Sequence, residues 1–422
     1  MHVVIIGNGV TGVSVARHLR KGSADVRITL VSGESDHHWS RPALMYLYMG
    51  HMRFSDVKPY EDGFWADNRI DLVRGWVERI DTDGRRLHLA DGRTLDWDEL
   101  VLATGSVPNR FGWPGQDLDR VHGMYSIQDL VALERATPRL KRGVVVGGGL
   151  IGIELAEMMH SRHIPVTLLV REELYWDNVL PREEAAMVVR AIERAGFDLR
   201  LQTELKEIHD DGQGAAGAVT TSAGDRIDCQ FVGLTAGVRP NLSLVRDGPI
   251  ETDRGVLVDE QLRTAVPHVW AAGDCAQITT ESGERYLQQV WYSGKAQGEV
   301  LAANLLGAGR RYDRGVWYNS AKFLHIEYQT YGDVPNRPAD GVTHHYWEHP
   351  NGKTALRLVE RGGVFVGLNA MGLRIRHRVA EGWIRDRATI AQVLDHLDEA
   401  HFDPELHRRH TAAIRAALRP SR

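Results

Sequence analysis

Residues 1–15 read "MHVVIIGNGVTGVSV". An apolar run from Val3 to Ile6 meets Gly7-Asn8-Gly9-Val10-Thr11-Gly12, and a helical pattern follows with Ala16 on its inner face. Each glycine has a physical task. Gly7 permits a tight turn, Gly9 lets backbone approach a pyrophosphate, and Gly12 lets the helix sit close to the strand. The helix start then offers free N–H groups and a positive dipole end to phosphates. A second strand, "VRITLV", ends near Ser32, and Glu34 follows. An acid about 20 residues beyond the last glycine is the expected ribose ligand.

The device recurs. "RGVVVGGGLIGIELAEMM" places Gly147, Gly149, Gly152 and Ala156 at the same spacing, with "PVTLLV" as its second strand and Arg171 after it. One such glycine pattern is weak evidence, because glycine turns are common. Two copies, each in a strand-turn-helix-strand context, predict two Rossmann-like α/β domains and two dinucleotides. Two further strands end in punctuation. "LVLATGSVPN" (100–109) stops at Ala103-Thr104-Gly105, and "VWAAGDCAQ" (269–277) stops at Gly273-Asp274. Alone, Asp274 would read as a helix cap.

Composition bounds the rest. A chain of 422 residues is too long for one ordinary core. Apolar residues at 43% and charged residues at 25% describe a globular chain, and a net charge of -5 argues against a dedicated nucleic-acid binder. No apolar run approaches a membrane span. "HVVIIG" runs straight into the glycine motif, so the fold is expected to begin at residue 2, in a cytoplasmic protein. Two distant cysteines, Cys229 and Cys275, exclude a disulfide framework, a four-cysteine zinc site and a self-contained iron-sulfur cluster. Of 51 basic residues only seven are lysine, so an isolated arginine is a poor functional signal.

The order of these motifs, with "TAGVRPN" at 235–241 and "AAGDCA" at 271–276, resembles that of the two-dinucleotide-binding-domain flavoproteins, the pyridine nucleotide-disulfide oxidoreductase superfamily. Within it the chain is similar to ferredoxin and rubredoxin reductases, the NAD(P)H-binding part of nitrite reductase, and apoptosis-inducing factor. The match covers about residues 1–310. The resemblance implies an FAD domain over 1–112 and 236–313, an NAD(P) domain over 113–235, and a C-terminal α+β interface domain over 314–422 that covers the flavin and often forms a dimer contact. It implies that Gly7, Gly9, Val10, Thr11, Gly12, Ser32 and Glu34 hold the ADP half of FAD. Arg41 and Pro42 would begin the helix beside the flavin. Ala103, Thr104, Gly105, Gly237, Gly273 and Asp274 would line the FAD site. Gly147, Gly149, Gly152, Glu154 and Arg171 would serve the nicotinamide dinucleotide. Gln289, Val290, Trp291 and "GKAQG" (294–298) would approach the rings.

Departures from the pattern are as informative. "RPALMYLYMG" (41–50) occupies the segment that carries redox cysteines in disulfide reductases, and it has none. Ferredoxin reductases typically have lysine where Tyr46 falls. Cys275 follows Asp274 and reads as a small packed residue. At the adenine-ribose position an acid would select NADH, whereas Val170 and then Arg171 stand there. That favours NADPH, although Glu172 and Glu173 follow at once and oppose a phosphate.

From about Gly315 the pattern becomes aromatic and strand-like, in "VWYNSAKFLHIEYQTYG", "VTHHYW", "TALRLVE" and "VFVGLNAMG". Two helical stretches follow, "TIAQVLDHLDEAH" and "ELHRRHTAAIRAALR". His325, His344 and His345 lack ligand spacing, so no metal site is expected. The basic tail from Glu405 to Arg422 reads as a solvated helix.

The expected protein is an FAD-dependent NAD(P)H oxidoreductase. Arg41, Glu154 and Trp291 are its candidate ring-positioning residues, and no side chain is required as acid or nucleophile. Three outlets for the electrons stay open: a separate iron-sulfur protein, which is favoured; a quinone or other small acceptor; and a redox-sensing binding module like apoptosis-inducing factor.

Overall fold

The strand His2–Ile6 pairs in parallel with Arg27–Ser32 on one side and Glu99–Leu102 on the other. Val3, Val4 and Ile5 are therefore fully buried. Parallel sheets carry covering layers on both faces, which is why these strands read as unbroken apolar runs. The sheet has five strands in the order Val269–Ala271, Glu99–Leu102, His2–Ile6, Arg27–Ser32, Ile70–Arg74. The helices Val10–Gly22 and Trp291–Leu305 pack against each other beside it.

The second glycine motif repeats the arrangement. Asp198–Arg200, Val166–Leu169, Gly143–Val146 and Phe231–Leu234 run parallel in that order. The helix Leu150–Ser161 follows the glycine loop, and Arg182–Arg194 follows the next connection.

This computed structural model describes residues 1–402, 405–406 and 408–419. They fall into two compact units, each assembled from three separated segments. The first is Met1–Asn109, His122–Pro138 and Gly237–Asp313; the second is Arg110–Val121, Arg139–Ala236 and Arg314–Arg422.

The last hundred residues belong to the second unit. Five antiparallel strands run in the order Tyr318–Phe323, Ile326–Gly332, Val364–Met371, Ala355–Arg361, Val342–Glu348. The stretch 316–332 is a hairpin rather than one strand, because Leu324 turns the chain with a φ of +55°. The helices His377–Arg385, Ile390–Asp395 and Thr411–Leu418 close a core that includes Leu356, Leu358, Phe365, Val393 and Ile414. The first of these went unread in the sequence. The segment expected to be helical over 389–401 breaks at His396 into a helix and a short 3-10 turn, Leu397–Ala400. Within the tail, helix begins only at Thr411. His407 and residues 420–422 lie outside the described residues.

Ion pairs join the helix Arg182–Arg194 to this sheet, Arg190 with Glu348 on its edge strand and a buried pair on the next strand. Arg357 donates from Nε and an Nη to the two oxygens of Glu184, each at 2.7 Å. Both side chains are removed from water, at 4% and 1% exposure. Glu183 accepts a further bond from Arg357 at 2.6 Å.

Candidate functional site

In the first unit the glycine loop forms as its spacing demands. Gly7 has a φ of +113°, and a Cβ there would lie 2.1 Å from the Ala103 carbonyl oxygen. A Cβ at Gly12 would lie 2.0 Å from the Gly7 carbonyl oxygen. Apart from its own chain neighbours, no protein atom lies within 4 Å of the Cβ position at Gly9. Gly9 caps the helix Val10–Gly22, so this open space faces backbone N–H groups with no intrahelical partner.

Two more elements converge on the same helix start. A Cβ on Gly273 would lie 2.4 Å from the Thr11 Oγ1, and one on Gly294 would lie 2.6 Å from it. A Cβ on Gly298 would meet Ser14 at 2.6 Å and the Thr11 carbonyl oxygen at 2.8 Å. Small residues thus let the helix Trp291–Leu305 lie almost against Val10–Gly22. Gln297 fixes the join by accepting from the Gly273 N–H at 2.7 Å. Val290 caps the second helix, and Trp291 opens it with 42% of its surface exposed.

A polar network surrounds Asp274. Its carboxylate accepts from the Ser106 hydroxyl at 3.0 Å, and the Gln289 amide donates to that hydroxyl at 2.8 Å. The Tyr125 hydroxyl accepts from the Ser106 N–H at 3.0 Å. Burial pushes the Asp274 carboxyl up, while Ser106, Arg41 and Tyr125 pull it back down. Thr104 donates to the Asn241 carbonyl at 2.9 Å, and Gly105 takes a φ of +70° beside it.

Glu34 and Arg41 form a bidentate pair, at 3.0 and 2.6 Å. Glu34 also accepts from the Ile127 N–H at 3.1 Å. Burial opposes the Arg41 charge, but the Glu34 bond and charge outweigh it and hold the pKa above its ordinary value. The guanidinium lies 4.5 Å from the Tyr125 ring centre and 5.1 Å from that of Trp39, and it donates to the Tyr125 carbonyl. This pairing was not foreseen; the sequence reading gave Glu34 and Arg41 separate tasks. Ser32 accepts from the Glu34 N–H at 3.2 Å and so shapes the turn. Pro42 lies in the 3-10 turn Arg41–Ala43, which leads into the helix Leu44–Tyr48. Asn8 and Tyr125 also escaped the sequence reading, and Gln297, expected near the rings as part of "GKAQG", instead ties the two helices together through Gly273. Asn8 is buried inside the loop and donates to the Ser35 carbonyl at 3.0 Å.

In the second unit Gly147 has a φ of +125°, with a Cβ position 2.6 Å from the Thr235 carbonyl oxygen. Gly149 caps the helix Leu150–Ser161, and Tyr175 beneath it donates to the Gly149 carbonyl at 2.9 Å. Glu154 and Glu157 share one face of that helix. Lys322 pairs with Glu157 at 3.0 Å, while the other Glu157 oxygen is buried without a partner. Burial and then Glu157 push the Glu154 carboxyl up to about 7, and Lys322 opposes the rise. Val170 is buried. Arg171 is largely exposed and bonds Glu172 at 2.8 Å.

Both thiols are buried. Burial pushes Cys229 up to about 12 and raises Cys275 as well. A thiolate nucleophile at neutral pH is absent from either position. No helix among the described residues is long and apolar enough to cross a membrane.

Comparison with known proteins agrees with this geometry. The family model for pyridine nucleotide-disulphide oxidoreductases matches residues 1–298. Rhodocoxin reductase of Rhodococcus erythropolis is 32% identical over 329 residues, 76% of each chain. The ferredoxin--NAD(+) reductase component of the p-cumate 2,3-dioxygenase system of Pseudomonas putida is 29% identical over 402 residues, covering 92% of this chain and 94% of that one. Among solved structures, the ferredoxin reductase for the CYP199A2 system from Rhodopseudomonas palustris superposes with a TM-score of 0.80 at 25% identity, over 88% of this chain and 91% of that one. With two glycine loops, the motifs between them and these relatives in agreement, the chain belongs to the pyridine nucleotide-disulphide oxidoreductase family.

Proposed function

We propose that this chain is an FAD-dependent NAD(P)H oxidoreductase that delivers electrons to a separate iron-sulfur protein. Family membership implies FAD and NAD(P)H, and the residues present fit both. Each loop offers a glycine without a side chain at a helix start, where N–H groups await an anion. FAD would take the first loop, with Gly7, Gly9, Gly12, Thr104, Gly105 and Asp274 around it. The nicotinamide dinucleotide would take the second, with Gly147, Gly149, Gly152 and Glu154.

Bound FAD supplies the redox chemistry that couples a two-electron donor to a one-electron acceptor. The chain's own part is position and electrostatics. Helix starts bind the pyrophosphates. The Glu34–Arg41 pair fixes a cation between two aromatic rings. The network of Ser106, Gln289 and Tyr125 holds Asp274 in one orientation.

One combination carries the reading: two open glycine loops together with two buried, unreactive cysteines. Two dinucleotides without a dithiol leave the acceptor outside the chain. The names of the relatives support an iron-sulfur acceptor, since the Pseudomonas putida protein is a ferredoxin reductase component. The finer reading is NADPH through Arg171, whose exposure leaves it free to exchange Glu172 for a 2'-phosphate. A cytoplasmic homodimer formed through residues 314–422 completes the proposal.

Anaerobic stopped-flow mixing of the yellow protein with NADH and NADPH tests it. Fast flavin bleaching, with NADPH the better donor, is expected, followed by faster reoxidation with a ferredoxin-type protein than with a quinone. Reduction over minutes would overturn the electron-transfer reading in favour of a sensor. Reoxidation by quinone alone would overturn the acceptor.

A further inference from the structure

Trp176 has a φ of +61°. Bulky side chains enter this left-handed region only when their surroundings impose it, at a cost that often marks a functional position. The surroundings here are specific. Its neighbour Tyr175 is fully buried and tied to the Gly149 carbonyl. The Trp176 ring packs on Phe323 at 5.4 Å and on Tyr328 at 5.8 Å, both buried in the antiparallel sheet of the same unit. Tyr175 therefore holds the glycine loop from the core, while half-buried Trp176 reaches it from outside.

The two loops differ at this point. Apart from chain neighbours, no protein atom lies near the Cβ position of Gly9, whereas at Gly149 the nearest atom is the Trp176 Nε1, at 3.9 Å, followed by its Cδ1 at 4.0 Å. An indole N–H is a donor only. Among the described residues none accepts from it. A half-buried donor without a protein acceptor thus stands beside the backbone N–H groups that open the helix Leu150–Ser161.

We propose that Trp176 is a binding residue of the second dinucleotide site, its indole N–H donating to the pyrophosphate of the nicotinamide dinucleotide beside Gly149. The proposal rests on the reading of the second loop as the nicotinamide site. Packing against Phe323 and Tyr328 fixes the donor before the ligand arrives, so little is lost in ordering it.

The test is a calorimetric titration of the FAD-loaded protein with ADP-ribose, which carries the pyrophosphate and cannot reduce the flavin. Trp176→Phe keeps a ring against Phe323 and Tyr328 and removes the N–H; an unchanged melting temperature and circular dichroism spectrum report that it is folded. ADP-ribose binding is expected to weaken about tenfold, as for a lost hydrogen bond to a charged group. Adenosine, which has no pyrophosphate, is expected to bind both proteins alike. In turnover the KM for NAD(P)H rises while kcat holds. Equal ADP-ribose affinity in the variant would overturn the role of Trp176 and leave the dinucleotide reading standing. So would an equal loss for adenosine, which would make the effect one of packing. A wild-type protein that takes up no ADP-ribose would overturn both.

Discussion

Glu154 titrates where the enzyme works. Its carboxyl sits at about 7 because burial and Glu157 both oppose its charge. In the unfolded chain the same group titrates near 4.5. Between these values the folded protein keeps a proton that the unfolded chain has released, so stability falls as pH rises through this window. Glu154→Gln removes that slope, and the drop in Tm between about pH 5 and about pH 8 should be smaller in the variant. Lys322→Met withdraws the opposing charge and should move the inflection upward; Glu157→Gln should move it downward. A second contest follows from the proposed NADPH reading, in which a 2'-phosphate would have to displace Glu172 from Arg171. Glu172→Gln should lower the KM for NADPH relative to NADH by about threefold, the scale of an exposed ion pair. Steady-state kinetics with the two nucleotides decides this.

Among elements, the contact between Val10–Gly22 and Trp291–Leu305 depends on two missing side chains. In an isolated helix, glycine to alanine would gain about 1 kcal/mol. At Gly298 the new methyl would stand 2.8 Å from a backbone oxygen, so the helices must part. Gly298→Ala should therefore be purified with less FAD, as the ratio of flavin to protein absorbance will record. The Glu184–Arg357 pair offers a larger effect. Removing either partner strands a charge that is almost wholly out of water. Arg357→Met should cost about 3–5 kcal/mol in urea unfolding, and adding Glu184→Met should recover much of it. Elements of this kind were legible in sequence to unequal degrees. The parallel strands and glycine turns were plain because backbone geometry forces the residue type. The hairpin at Leu324 was hidden, since nothing local announces a leucine in the left-handed region. The Glu34–Arg41 pair was hidden as well. Both residues had been noticed, but motif reading assigns residues to ligands and has no way to see them bind each other.

At the scale of the whole molecule, the chain alternates between the two units, and neither is continuous in sequence. The strand Val269–Ala271 pairs with Glu99–Leu102 in the first sheet although it lies far from it along the chain, a return that only the family resemblance had implied. The company kept by residues 314–422 was less visible. They share a unit with the second glycine loop, and Arg357 and Lys322 reach it through side chains that carry no motif. A chain ending at Asp313 should consequently lose solubility rather than yield a working pair of nucleotide domains, as size-exclusion chromatography of the truncated product would reveal. The two buried cysteines have a practical corollary. Because Cys229 and Cys275 are both shut away from solvent, maleimide reagents should leave the native protein untouched. A single cysteine placed on any exposed surface would then be a unique attachment point, ready for a spin label or fluorophore that reports distance to a docked acceptor without first stripping the chain of its own thiols.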